Sequence, residues 1–104
     1  MKDYQTLNEA STWFLYIIRC SDDSLYTGIT TDVERRLREH NGEKGKRASA
    51  AYTRARRPVA LMYQEEHADR ACASRREFSV KKMSRAQKLE LIDNQADKAG
   101  PMKC

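Results

Sequence analysis

This chain predicts an α+β fold: a small three-stranded antiparallel sheet flanked by helices, in the order β-β-α-β-α-α. Three observations carry that expectation. Trp13 to Arg19 and Leu25 to Thr30 are rich in aromatic and β-branched residues and flank Ser21-Asp22-Asp23-Ser24, which has turn composition. A third short apolar run, Val59 to Tyr63, follows later, and helix-start signals stand ahead of the remaining segments.

The first two runs read as a β-hairpin, and its register decides where the tyrosines point. Opposed residues of an antiparallel pair share a face, so Tyr16 and Tyr26 project together only if opposed positions sum to an even number. A three-residue loop, Ser21 to Asp23 with Cys20 opposite Ser24, meets that condition. A two-residue loop at Asp22-Asp23 would put the two rings on opposite faces.

Thr31 followed by Glu34 has the form of a capping box and predicts a helix to about His40, ended by Asn41-Gly42. Val33 and Leu37 supply its buried stripe, and Arg36 and His40, also four apart, form a second stripe beside it. Glu43 to Arg57 is basic, glycine-bearing and irregular, and Pro58 closes it. Val59 to Tyr63 reads as the third strand, leading into the polar Gln64-Glu65-Glu66. Asp69 caps a helix of about Arg70 to Met83, and Ser84 with Gln87 forms a second capping box for a helix through about Ile92. Residues 1–11 and 93–104 read as flexible tails on a domain spanning 12–92.

At 104 residues a single domain with a modest core is expected. Lys and Arg outnumber Asp and Glu by 20 to 15, and residues 13–92 hold 17 basic against 11 acidic side chains. A compact basic body attracts polyanions, of which nucleic acid is the commonest. Cys20, Cys72 and Cys104 are odd in number and widely spaced, which points to neither a disulfide framework nor a zinc ribbon and fits a reducing cytoplasm. The first residues lack an apolar signal core and no run reaches membrane-spanning length, so neither secretion nor membrane insertion is expected.

Several side chains are candidates for chemistry. Glu77 sits at the edge of an apolar helix face near Ala73, Phe78 and Val80, so its carboxylate calls for a metal ion or a basic side chain, with a surface ion pair to Lys81 or Arg76 as the plain alternative. Taken singly, Tyr16 and Tyr26 are ordinary strand aromatics, Arg36 belongs to a solvated arginine run, and His40 is a helix-end cap.

Order and spacing are more specific than the separate residues. Phe14-Leu15-Tyr16, then Tyr26-Thr27-Gly28, then the run from Thr30 to Asn41 with Arg36 and His40, then a helical Glu77, resembles the GIY-YIG nuclease superfamily, in particular its small stand-alone bacterial members. The resemblance covers residues 13–92. It implies that Tyr16 and Tyr26 match the tyrosines of the two triplets, Gly28 the second triplet's glycine, Arg36 and His40 the family's arginine and histidine, and Glu77 its metal-binding glutamate. Phe14, Leu15 and Thr27 depart from the triplets at positions that bear on strand packing.

The activity so implied is hydrolysis of phosphodiester bonds in DNA by a metal-dependent endonuclease, with RNA also a possible substrate, using one divalent ion, Mg²⁺ or Mn²⁺, and no organic cofactor. Tyr16 is the expected general base, with Tyr26 positioning the water or sharing that role, Arg36 the phosphate ligand, and His40 a hydrogen-bond partner of a tyrosine or of phosphate. Lys44, Lys46, Arg47, Tyr52, Arg54, Arg56 and Arg57 are expected to clamp the flanking backbone, which positions without reading sequence. A body of this size leaves no space for a second DNA-binding region, so target choice is expected to come from nucleic-acid shape or from a targeting protein. A binding module that cleaves little, or an interaction protein for an acidic partner, are the rival classes.

Overall fold

A computed structural model describes residues 12–42 and 51–94 of the chain. The strands are β1 (Trp13–Arg19), β2 (Leu25–Thr30) and β3 (Ala60–His67); the helices are α1 (Val33–His40), the four-residue α2 (Ala51–Arg54), α3 (Arg70–Lys81) and α4 (Arg85–Asp93). The sheet is antiparallel with β1 in the centre, in the order β2-β1-β3. The expected β-β-α-β-α-α order is present, with α2 as an addition inside the stretch read as irregular.

Cys20 opposes Ser24 through its amide, which donates to the Ser24 carbonyl at 2.8 Å, so the hairpin loop is Ser21-Asp22-Asp23. Asp23 takes the left-handed conformation (φ 73°) that such three-residue loops need at their last position, and Asp is among the residues that tolerate it. Tyr16 therefore opposes Gly28 and Tyr26 opposes Ile18, which puts both tyrosines on one face.

That face packs under α1: Tyr16, Ile18, Cys20 and Val59 form a buried cluster against Tyr26, Val33 and Leu37. On the other face Leu15, Ile17, Tyr63 and Val80 pack with Leu25, Ile29, Met83, Leu91 and Ile92, beneath α3 and α4. Each fully buried Leu or Ile contributes about 1.5–3 kcal/mol, so the two layers are the main source of stability for so small a domain.

Three expectations need correction. The third strand begins at Ala60 and runs on through the polar Gln64-Glu65-Glu66-His67, because Tyr63, Glu65 and His67 turn inward and satisfy one another while Gln64 and Glu66 face out. The first helix is capped by Asp32, not Thr31: the Asp32 carboxylate accepts from the Arg35 amide at 3.0 Å, after the Thr30 hydroxyl has accepted from the Asp32 amide at 3.1 Å and set its extended backbone. The second helix ends at Lys81, two residues early, so that Ser84 is free to cap α4 in a reciprocal box with Gln87. Cys20 is a buried free thiol.

A buried polar cluster fastens α3 to β3. Glu65 accepts hydrogen bonds from the Tyr63 hydroxyl, from His67 Nε2 at 2.8 Å and from Arg76 Nε at 2.8 Å, with a second, longer Arg76 contact at 3.4 Å. Burial alone would raise the Glu65 carboxyl, but these three donors outweigh it and hold the pKa below the usual range. His67 Nδ1 is buried without a hydrogen-bond partner among the described residues. Arg76 precedes Glu77, so this clamp also sets which way the next side chain faces.

Candidate active site

Gly28 is the element that lets the site form. A Cβ built on it would lie 2.6 Å from the Tyr16 hydroxyl oxygen and 2.8 Å from Cζ, so the ring crosses β2 directly over the glycine. The phenol is thereby delivered to the outer edge of the sheet. There it borders a cavity of about 470 Å³ lined by Tyr16, Tyr26, Gly28, Arg35, Arg36 and Glu39 from one layer and by Trp13, Arg70, Ser74 and Glu77 from the other. Glu77 reaches the cavity from α3, and its charge is close enough to act on Tyr16.

His40 is fully buried at the end of α1, with Nε2 2.9 Å from the Tyr16 oxygen and Nδ1 2.8 Å from Thr53 Oγ1 of α2. Two devices hold it there. Arg57 Nε donates to the His40 carbonyl at 2.9 Å, and Asn41 exchanges two hydrogen bonds with the backbone of Val59, pinning the helix end to the start of β3. Burial, reinforced by the Arg36 charge, lowers the His40 pKa to about 4, so the ring is neutral at physiological pH.

Burial pushes the Tyr16 phenol up to about 12; Tyr26 and Glu77 add to the rise, and the Arg36 guanidinium opposes it by hydrogen bonding. Arg36 is held by Glu39, 2.9 Å away and itself buried, with Arg35 on the far side of the same carboxylate at 3.8 Å. A guanidinium can only donate, so Tyr16 accepts from Arg36 and its own proton is available to His40 Nε2. That sharing places the imidazole proton on Nδ1, where it donates to Thr53. Tyr26 stands edge-on to His40, ring centroids 5.3 Å apart, and its hydroxyl has no hydrogen-bond partner among the described residues.

Of the sequence-predicted residues, Tyr16, Tyr26, Gly28, Arg36 and Glu77 thus line one cavity, and His40 lies directly behind it. Glu77 also forms the surface ion pair anticipated as its alternative, Lys81 Nζ lying 3.2 Å from Oε2. The expected clamp is divided. Tyr52 stacks on Tyr26 at 5.8 Å and has Arg56 over its ring at 4.0 Å, while Arg56 is tied to Asp22 and to the Tyr52 carbonyl. Arg54 and Arg57 are exposed, and Lys44, Lys46 and Arg47 lie outside the described residues. Sequence reasoning missed Arg70, Ser74 and Glu39 as cavity residues. Spacing held a signal for the first two: Arg70, Ser74 and Glu77 stand at i, i+4 and i+7 and so share one stripe of α3.

The donor set bears on a divalent ion. Glu77 presents a single carboxylate to the cavity, Glu39 is taken up by two arginines, and among the described residues no group of three or more His, Cys, Asp or Glu side chains converges. Such a wall fits Mg²⁺ or Mn²⁺, hard ions that keep water and substrate phosphate as most of their ligands, and does not fit a closed zinc site.

Fold and cavity together describe a GIY-YIG-type catalytic domain. The profile of the GIY-YIG catalytic domain matches residues 12–90, and the chain belongs to that family. It is 51% identical over 81 residues to a UPF0213 protein of Desulfotalea psychrophila (77% of this chain, 70% of that one) and 50% identical over 80 residues to one of Staphylococcus haemolyticus (77% and 93%). Its fold is similar to the solution structures of a UPF0213 protein from Bacillus halodurans (35% identity, TM-score 0.50, 86% and 88% of the two chains) and of a protein from E. faecalis (31%, 0.57, 89% and 95%). The family points to nuclease-type chemistry, and no described helix is long and apolar enough to cross a membrane.

Proposed function

We propose that the chain is a metal-dependent endonuclease that hydrolyses phosphodiester bonds in DNA, selecting structure over sequence, through a domain spanning residues 12–92. The observation that carries this reading is the convergence of Tyr16, Tyr26, Arg36 and Glu77 on one cavity. Glu77 holds the divalent ion, which when bound supplies charge neutralisation for the phosphate and the leaving oxygen. Arg36 swings part of its fork from Glu39 onto the scissile phosphate.

Tyr16 takes the proton of the attacking water. With a pKa of about 12, its phenolate is populated in roughly one molecule in 10⁵ at pH 7, so the proton must move on as the water attacks. His40 Nε2, neutral and 2.9 Å away, is the acceptor, and Thr53 holds the ring in the tautomer that leaves Nε2 free. Tyr26, with its open hydroxyl, positions the water.

The test uses labelled duplex, single-stranded, flapped and branched DNA, and RNA, each with Mg²⁺, Mn²⁺ or neither. Metal-dependent cleavage of DNA, lost in Glu77→Ala, is expected; cleavage that survives Glu77→Ala would sink the assignment. A second reading is a binding module that cleaves little by itself. It draws support from Arg36 and Glu77 both being ion-paired, to Glu39 and Lys81, in the free chain. Tight binding with no cleavage of any substrate would favour it.

A further inference from the structure

We propose that Trp13 and Arg70 form a nucleobase-stacking subsite at the α3 end of the cavity, separate from the groups that act on phosphate. This rests on the nuclease reading for the identity of the ligand as nucleic acid. Trp13 begins β1 and is partly exposed, and both it and Arg70 line the same cavity as Tyr16 and Glu77. The Arg70 guanidinium carbon lies 5.5 Å from the centroid of the indole.

Arg70 differs from the other cavity arginines. Arg35 and Arg36 are both held by Glu39, whereas Arg70 makes no ion pair among the described residues and rests its charge on an aromatic face. A guanidinium beside an indole offers an aromatic face and a positive charge that has no ion-pair partner among the described residues. That combination suits a base together with the phosphate beside it: the base lies on the indole or on the guanidinium, and Arg70 keeps donors for the phosphate.

Position agrees with this division of labour. Arg70 and Glu77 stand at the two ends of the stripe that includes Ser74, seven residues apart, or about 10 Å along the helix axis. The subsite therefore receives a base flanking the cleaved phosphate and leaves the phosphate itself to Arg36 and Glu77. Its face must be bare when it docks, so that nucleotide is unpaired in the bound substrate.

Trp13 is the chain's single tryptophan, so its emission reports this site directly. The experiment titrates the full chain, in EDTA to prevent cleavage, with hexathymidylate and with a hexamer of equal charge whose sugars carry no bases. Hexathymidylate should quench the indole, and the abasic hexamer should bind about tenfold more weakly with little quenching. Labelled hexathymidylate should also bind Arg70→Ala and Trp13→Leu about tenfold more weakly; Arg70→Ala lies on an exposed first turn and leaves the Asp69 cap in place, so it covers the case in which Trp13→Leu misfolds. Equal quenching by the two hexamers, unchanged affinity in Arg70→Ala, or no binding at all would overturn the subsite. Cleavage is scored separately: base-dependent quenching without any Glu77-dependent hydrolysis keeps the subsite and removes the endonuclease reading, and the reverse pattern does the opposite.

Discussion

Tyr16, His40, Arg36 and Glu39 meet at an open cavity, whereas Tyr63, His67, Arg76 and Glu65, the same four side-chain types, close on one another between β3 and α3. In the closed quartet one carboxylate takes three donors, and the one group left over among the described residues, His67 Nδ1, is buried out of a ligand's reach. In the open one the phenol shares its proton with a neutral imidazole, and the neighbouring Tyr26 hydroxyl has no hydrogen-bond partner among the described residues. Residue types do not distinguish the two; access does.

The sharpest way to break the comparison is to remove one arginine. Arg76→Ala leaves the Glu65 charge buried without its cation and should cost about 3–5 kcal/mol in urea unfolding. A loss below about 1 kcal/mol would mean that the quartet is not the fastener described here. Tyr16→Phe is the converse: turnover is expected to fall at least about 10²-fold, with stability lowered by only about 1 kcal/mol for the lost hydrogen bond to His40. Retained cleavage would remove Tyr16 as the base.

Next in size is a pH effect. His40 titrates at about 4 in the fold and near 6.5 when unfolded, so between those values protons bind the unfolded chain first. Its stabilising contribution, on the order of 3 kcal/mol, is complete above about pH 6.5 and is lost as the pH falls through 4. Unfolding free energies at pH 7.5 and 4.5 should therefore drop more for the natural chain than for His40→Gln; equal drops would refute it.

Gly28→Ala forces the Tyr16 ring aside and should cost about 1–3 kcal/mol in thermal melts while lowering turnover, although the methyl group adds no charge. The smallest effect belongs to Lys81→Ala, at most about 0.5 kcal/mol, because its pairing with Glu77 is a surface contact. A larger loss would make Glu77 a structural anchor.

Sequence singled out Tyr16, Arg36 and His40 of the open quartet, left out Glu39, and hid the closed one. The hairpin strands were read to the residue because alternation and turn chemistry act locally, and the loop's odd length then fixed the tyrosines' common face. Arg36 and His40 were legible as a helical stripe. Glu65 and Arg76 lie eleven positions apart on a strand and a helix, so nothing local marks Gln64 to His67 as strand rather than loop; tertiary pairing makes an inward-facing carboxylate tolerable there. Thr31 was read as the cap from its spacing to Glu34, and the hydrogen bond from the Asp32 amide to the Thr30 hydroxyl moves the cap to Asp32.

Because the phenol comes out at the rim of the sheet, the polar groups lining the cavity belong to two separately packed slabs joined along a seam. Tyr16, Tyr26 and Arg36 ride on the oily layer below α1, and Glu77 rides on the one below α3 and α4. The gap between the Tyr16 phenol and the Glu77 carboxylate is therefore a mechanical quantity, adjustable by swapping a buried aliphatic in either slab without touching any polar atom of the cavity.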